Sequence, residues 1–470
     1  MLFNSLTFLA FLAAVLVAMR LPLGWSSKKA ALTVFSWTFY AAADPPLVVL
    51  LLGSTVLNWR LGLWIDRSLN DGTRRRLLLV GVIGNLSVLL AFKYAGFLVR
   101  NLQSLAEAFG WSGQLVAPDL PLPIGVSFFT FQAIAYIVEI RRRKLSACPS
   151  LLDFAVFASY FPHLVAGPIV RADGFLPQLR SEPKPDAAGF ERGAFLVALG
   201  LFQKVVLADA VLAPVADKVF SPGARPDLVA AWTGALAFSG QIFCDFAGYT
   251  TAAIGVAAMV GLHLNENFRR PYAAATFSDF WRRWHISLST WLRDYLYKPL
   301  GGDRLGGFRT GVNLMLVMLI GGLWHGASWT FVVWGGLHGM FLLLERASGF
   351  REAPRNRLLR FLRSMFTLGL VTIAWVFFRA ADFATASSIL QGMAGFQSGR
   401  GSLAMDGGNV VAVCTAFGAI VAAHHLAPDT DLGTVVERTP RVLLTLVLSF
   451  VFISFVLLAR PDRAFIYFQF

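Results

Sequence analysis

Nearly uncharged apolar runs recur from one end of the chain to the other, near residues 2–19, 30–43, 47–58, 77–98, 122–140, 151–169, 194–215, 228–262, 311–323, 327–345, 364–378, 409–427 and 442–459. Many approach the ~20 residues that a helix needs to cross a bilayer, the run at 228–262 has room for two helices, and some are too short to span alone. The pattern predicts an all-α integral membrane protein, a multispanning helical bundle with on the order of 11 spans. The shorter pieces are expected to be re-entrant or interfacial, because irregular backbone at membrane depth is tolerated where protein or water covers it. LPIGVSFFTFQ from Leu122 and FPHLVAGPIVRA from Phe161 put Pro and Gly inside apolar runs, where kinks or broken helices are expected. No internal repeat, linker or soluble domain interrupts the series, so residues 1–470 read as one membrane domain. A transporter built of inverted repeats is correspondingly disfavoured.

The short clusters between the runs carry the topology. Arg74, Arg75 and Arg76 precede one span, the stretch 101–121 has no Lys or Arg, and the next span returns to Arg141, Arg142, Arg143 and Lys144. Basic loops stay on the cytoplasmic side, so this is an in-out-in hairpin. The basic stretch 269–309 and the cluster Arg346, Arg351, Arg355, Arg357, Arg360 and Arg363 bracket two more apolar segments in the same way. Composition agrees: 56% of the 470 residues are hydrophobic, a surplus that must face lipid. The net charge of +14 resides in those loop clusters, which excludes nucleic acid as the expected partner. Cys148, Cys244 and Cys414 are scattered, without metal-ligand or redox spacing, so no metal site or disulfide framework is expected. Residues 1–19 lack a basic start and a cleavage site and are followed by Arg20, which reads as a retained first helix.

Two stretches are unlike anchoring sequence. From Thr276 to Pro299, Phe280, Trp284, Leu288, Trp291, Leu292 and Tyr295 repeat at helical spacing, while Arg282, Arg283, Arg293 and Lys298 offer cations on the polar side. The spacing predicts one amphipathic helix, capped by Thr276 or Ser278 and ended by Pro299. Headgroup anchoring explains its Trp and Arg residues equally well, but gives no reason for His285. In GGLWHGASWTFVVWGGLHG, His325 interrupts apolar sequence between glycines, and an ionisable group in that setting is by default functional. His338, thirteen positions on, would point away from His325 on one continuous helix and reads as structural. His163, His263, His424 and His425 read as structural too, the last two as solvated near a segment end. Asn58, Asp153, Asp209 and Asp245 read as hydrogen-bonded glue or cavity lining. Serine-hydrolase, P-loop, zincin and dinucleotide motifs are absent from the sequence. What remains is histidine chemistry, in which a neutral imidazole takes the proton of a hydroxyl attacking a thioester.

LLLGSTVLNW from Leu50, LPIGVSFFTFQAIAYIVEI from Leu122, LLDFAVFASYFPHLVAGPIVRADGFLPQL from Leu151, GLFQKVVLAD from Gly200, ENFRRPY from Glu266, SDFWRRWHISLSTWLRDYLYKPLGG from Ser278, GGLWHGASWTF from Gly321 and FIYFQF from Phe465 resemble the membrane-bound O-acyltransferase (MBOAT) family. They resemble in particular its bacterial branch, which serves alginate O-acetylation and teichoic acid D-alanylation. The resemblance implies that His325 is the essential catalytic histidine and His285 a second active-site histidine. After CDFAGY this chain has Thr250, Thr251 and Ala252 where relatives typically show Ser, Asp and Met, so any acceptor or partner contact made through that carboxylate is not carried over.

The resulting expectation is an O-acyltransferase of the inner (cytoplasmic) membrane that moves an acetyl group from cytoplasmic acetyl-CoA toward hydroxyls of an exported polysaccharide, finished by a periplasmic acetyltransferase partner. Arg282, Arg283 or Arg293 is expected near the donor phosphates. The alternatives are D-alanyl transfer from a carrier protein to teichoic acid, a polysaccharide or ion transporter in which His325 gates or relays protons, and a scaffold without activity.

Overall fold

The computed structural model describes residues 3–42, 45–118, 120–184, 186–397, 399, 401–426, 439–458 and 465–466. The ends of the runs expected at 2–19, 30–43, 409–427 and 442–459, and all of FIYFQF but Phe465 and Ile466, lie outside the described residues. Among the described residues the regular elements are helices and no sheet forms. Two compact units emerge, one of residues 1–190 with 256–265, the other of residues 191–255 with 266–470.

The first unit holds α1 (Leu6–Arg20), α2 (Trp25–Ala41), α3 (Val48–Arg67), α4 (Asp71–Ala108), α5 (Val126–Arg141) and α6 (Leu151–Ser159). Its apolar runs break where the prolines and glycines foretold. The run at 122–140 becomes helical only after Gly125, which has φ +72°, and the run at 151–169 breaks at Tyr160 just before Pro162. Polar side chains inside the unit pair with one another, as their desolvation requires. Asn58 and Asn85 exchange amide hydrogen bonds of 3.2 and 2.8 Å between α3 and α4, and Lys29 of α2 pairs with Asp153 of α6. His163 packs edge-on against Tyr160 and Phe175, in line with a structural role, and His263 is exposed.

The second unit contains most of α7 (Ala187–Val219) and α8 (Leu228–Val260), and then α9 (Phe277–Arg283), α10 (Ile286–Leu292), α11 (Gly306–His325), α12 (Trp329–Ala347), α13 (Arg357–Arg379), α14 (Phe383–Met393), α15 (Gly407–Leu426) and α16 (Arg441–Leu458). The run at 228–262 forms one 33-residue helix and not two. Backbones of α7 and α8 touch: a Cβ on Gly200 would lie 2.3 Å from the Gly248 carbonyl oxygen. Small residues permit such approach where lipid supplies no hydrophobic force between helices. Within α7 a π-helical stretch, Phe202–Leu212, carries Lys204, which pairs with Asp209 at 2.9 Å and with Asp245 of α8. Asp245 also accepts the Ile466 backbone N–H at 2.7 Å. The two aspartates thus act as glue, through a lysine that the sequence pattern did not mark.

Among the described residues seven helices are long and apolar enough to cross a membrane: α3, α4, α7, α8, α11, α13 and α15. The remaining apolar sequence goes into shorter helices such as α1 and α5, or into α12, which His338, Glu345 and Arg346 make less apolar. Burial shows which spans face lipid. Only 17% of the apolar window of α4 is covered by protein, against 83% for α8, which therefore runs through protein interior.

Candidate active site

The stretch 276–299 is not the single amphipathic helix that its periodicity predicts. Thr276 does cap α9, accepting the Asp279 N–H at 3.0 Å, but α9 stops at Arg283 and α10 starts at Ile286. Between them His285 takes a left-handed conformation, φ +43°, which residues other than glycine adopt uncommonly and which its surroundings must hold. Asn267 is what holds it. Its Oδ1 accepts the Ser287 N–H at 3.1 Å and the Ser287 hydroxyl at 2.9 Å, and lies 3.2 Å from His285 Nδ1, while its carbonyl accepts the Ile286 N–H at 2.9 Å. These bonds from a distant segment replace the i to i−4 ladder that the period alone would favour. Helical winding ends at Tyr297, with Arg293–Tyr297 in π-helical form, two residues short of Pro299.

The other histidine is delivered by a helix crossing. His325 is the last residue of α11, and the chain turns through Gly326 into α12, capped by Ser328. The crossing is close because it is made by glycines: a Cβ on Gly322 would meet the Phe331 carbonyl oxygen at 2.3 Å, and one on Gly335 the Met318 carbonyl oxygen at 2.2 Å. The Glu345 carboxylate of α12 accepts the N–H groups of Phe277 and Ser278, and the Ser278 hydroxyl, so α12 is tied to the start of α9.

These two constructions bring His285 and His325 together, with ring centroids 6.1 Å apart and exposures of 0% and 3%. Aromatic rings enclose His325: Trp324 at 5.0 Å, Trp334 at 5.1 Å and Phe378 at 5.3 Å. His285 meets the edge of Phe246 at 4.7 Å. His338 belongs to α12 and not to a continuation of α11, so the angular argument for one helix does not apply, yet its setting is that of a packing residue. It stacks on Phe280 and meets Trp281 and Trp334, and neither ring nitrogen has a hydrogen-bond partner. His424 is not solvated as expected. It is buried against Phe243 and accepts the Tyr272 N–H, because α15 packs its last turn into the core.

A cavity of about 480 Å³ runs from exposed arginines to His325 and Trp334. Arg282 and Arg293 line it, whereas Arg283 pairs with Asp279 at 2.9 Å and does not. Arg293 shares Asp294 with Lys298. Two further cations on the lining, Arg346 and Arg351, come from the loop cluster that served only as a topology signal in the sequence. Arg282, Arg346 and Arg351 make no ion pair among the described residues, so three uncompensated guanidinium groups converge on one cavity. Clustered cations that are not neutralised internally attract anions, and guanidinium matches phosphate geometry. The chain itself thus provides an anion-attracting mouth and a passage of mixed apolar and hydroxyl lining that reaches His325, with the His285 imidazole beside His325 but not on the lining. No group of His, Cys, Asp or Glu suited to a metal ion occurs among the described residues.

Comparison with known proteins places this arrangement. Residues 139–354 match the model of the MBOAT, membrane-bound O-acyltransferase, family, a range that includes both histidines and the arginine-lined cavity. The chain is 41% identical to a "probable alginate O-acetylase AlgI" of Pseudomonas aeruginosa over 84% of its own length and 75% of the relative's. It is 37% identical to a peptidoglycan O-acetyltransferase of Helicobacter pylori, over 77% and 73%, and 28% identical to a teichoic acid D-alanyltransferase of Streptococcus thermophilus, over 54% and 68%. The chain is therefore a multipass member of the membrane-bound O-acyltransferase family, an O-acyltransferase by kind.

Proposed function

We propose that the protein takes an acetyl group from acetyl-CoA at the cytoplasmic face and passes it toward hydroxyl groups of an exported polysaccharide, with a periplasmic acetyltransferase partner completing the transfer and the chain residing in the inner membrane. The observation that carries this reading is the cavity that joins Arg282, Arg346 and Arg351 to His325. A CoA thioester carries phosphates at one end and a reactive acyl group at the other, which suits such a passage. Relatives that act on alginate and peptidoglycan, matched over most of both chains, support acetyl transfer to a polysaccharide. The D-alanyl-transferring relatives are more distant.

His325 acts as general base. Its neutral imidazole accepts the proton of the attacking hydroxyl as the oxygen forms a bond to the thioester carbonyl carbon, the carbon–sulfur bond breaks, and the proton passes to the leaving thiolate. The products are an ester and a free thiol. His285, fixed in orientation by Asn267, lies beside His325 and supports it in that exchange. Arg282, Arg293, Arg346 and Arg351 hold the donor phosphates, and Arg283 orders α9 through Asp279.

Donor identity is tested by supplying membranes that contain the full-length chain with labelled acetyl-CoA or with a D-alanyl-loaded carrier protein. Label on exported polymer from the first alone is the expected result. Label from the carrier protein alone would overturn the acetyl-CoA reading.

A further inference from the structure

The inner end of the cavity is walled by rings whose spacing leaves no gap. Trp334 lines the cavity beside His325 and is 1% exposed. Behind it lie Trp375, stacked at 5.4 Å, and Phe378, edge-on at 5.0 Å, and Phe378 also contacts His325 at 5.3 Å. Phe331 closes on Phe378 from a further side at 4.9 Å. A methylene placed between two rings needs carbon–carbon distances of about 3.5–4.0 Å on both sides, and ring centroids about 5 Å apart, whether edge-on or offset-stacked, are already in contact. No slot for an alkyl chain opens between any of these rings. The neighbouring wall is tight as well: a methyl group on Gly321 would sit 3.3 Å from Leu292 Cδ1, and both residues line the cavity.

Resting on the reading of His325 as the acyl-transfer residue, we propose that Trp334, backed by Trp375 and Phe378, limits the length of the acyl group, admitting acetyl and refusing four-carbon chains. With its carbonyl carbon at His325, an acetyl thioester places a single methyl group against Trp334. The rest of the donor occupies the passage toward the arginines, so a longer chain has no way back along it. Two more methylenes must displace a ring that Trp375 and Phe378 back on the sides away from the cavity, and interiors yield poorly to added volume. The limit acts on the same step in which the acyl carbon–sulfur bond is exchanged for a carbon–oxygen bond and the hydroxyl proton ends on the thiol.

The test supplies labelled acetyl-CoA and butyryl-CoA to membranes that contain the full-length chain, its periplasmic partner and its exported polymer, and reads label on the polymer. Wild type is expected to favour acetyl by about tenfold or more, the discrimination that one or two methylenes command in a closed pocket. Trp334→Ala and Phe378→Ala are expected to move that ratio toward one. Equal acetyl and butyryl label in wild type, or an unchanged ratio in both variants at normal membrane levels, would overturn the proposal. Should neither variant accumulate, the wild-type ratio and the milder Trp334→Phe decide it in the same way. Persistence of acetyl label in His325→Ala would instead overturn the underlying mechanism, so the two failures are told apart.

Discussion

Asn267→Ala is the substitution that most sharply separates the position of His285 from its presence. Asn267 Oδ1 holds the Ser287 N–H, the Ser287 hydroxyl and the near approach of His285 Nδ1, all buried. Removing one acceptor leaves buried donors unpaired at about 1–3 kcal/mol each. The left-handed turn at His285 itself stores on the order of 1–3 kcal/mol, which is tolerated only while its surroundings impose it. With the Oδ1 contacts gone and only the backbone carbonyl of Asn267 left on the Ile286 N–H, relaxation of about 3 kcal/mol favours turning the imidazole away from His325. Since 1.4 kcal/mol is tenfold, transfer should fall about 10²-fold. The assay is release of CoA thiol and label transfer in membranes, with protein level and thermal midpoint measured alongside. The expected outcome is a loss in maximal rate with little change in donor KM. Wild-type rates in Asn267→Ala would refute the claim that this clamp sets His285 for catalysis.

Other consequences are as direct. Arg346→Gln combined with Arg351→Gln should raise the KM for acetyl-CoA by about tenfold, at roughly 0.7 kcal/mol for each solvent-accessible cation, and flatten its dependence on salt; an unchanged KM would remove these residues from the donor site. Lys204→Met removes the positive charge that Asp209 and Asp245 share, which should destabilise the second unit by about 3–5 kcal/mol, read as a loss of folded protein in membranes. Gly335→Ala forces a Cβ onto the Met318 carbonyl, so the α11–α12 crossing should open and the thermal midpoint drop.

How much of this was legible in the sequence follows from the range of the forces involved. Apolar runs and basic loops reveal membrane helices because each depends only on local composition. His325 stood out because an ionisable group among apolar residues is costly wherever it lies, and His285 because anchoring has no use for it. The break at His285 was hidden, since the competing hydrogen bonds come from Asn267, eighteen residues upstream, and a helical period carries no sign of them. Arg346 and Arg351 read as topology signals because nothing in a linear cluster tells which members fold back over α9. Arg282 and Arg283 follow Asp279 by three and four residues, spacings that both permit pairing on a helix, and only the folded structure shows that Arg283 takes the carboxylate. The wall around His325 came together from α11, α12 and α13, a convergence that only the packed structure displays.

The central claim is that acyl transfer passes through His325 beside His285. It is tested most directly by acetylation of the exported polysaccharide in cells carrying wild type, His325→Ala, His285→Ala or the volume-filling His338→Leu, with membrane protein levels checked in each. The account predicts that the first two substitutions abolish acetylation while His338→Leu keeps it. Full acetylation with His325→Ala at normal protein level would contradict it.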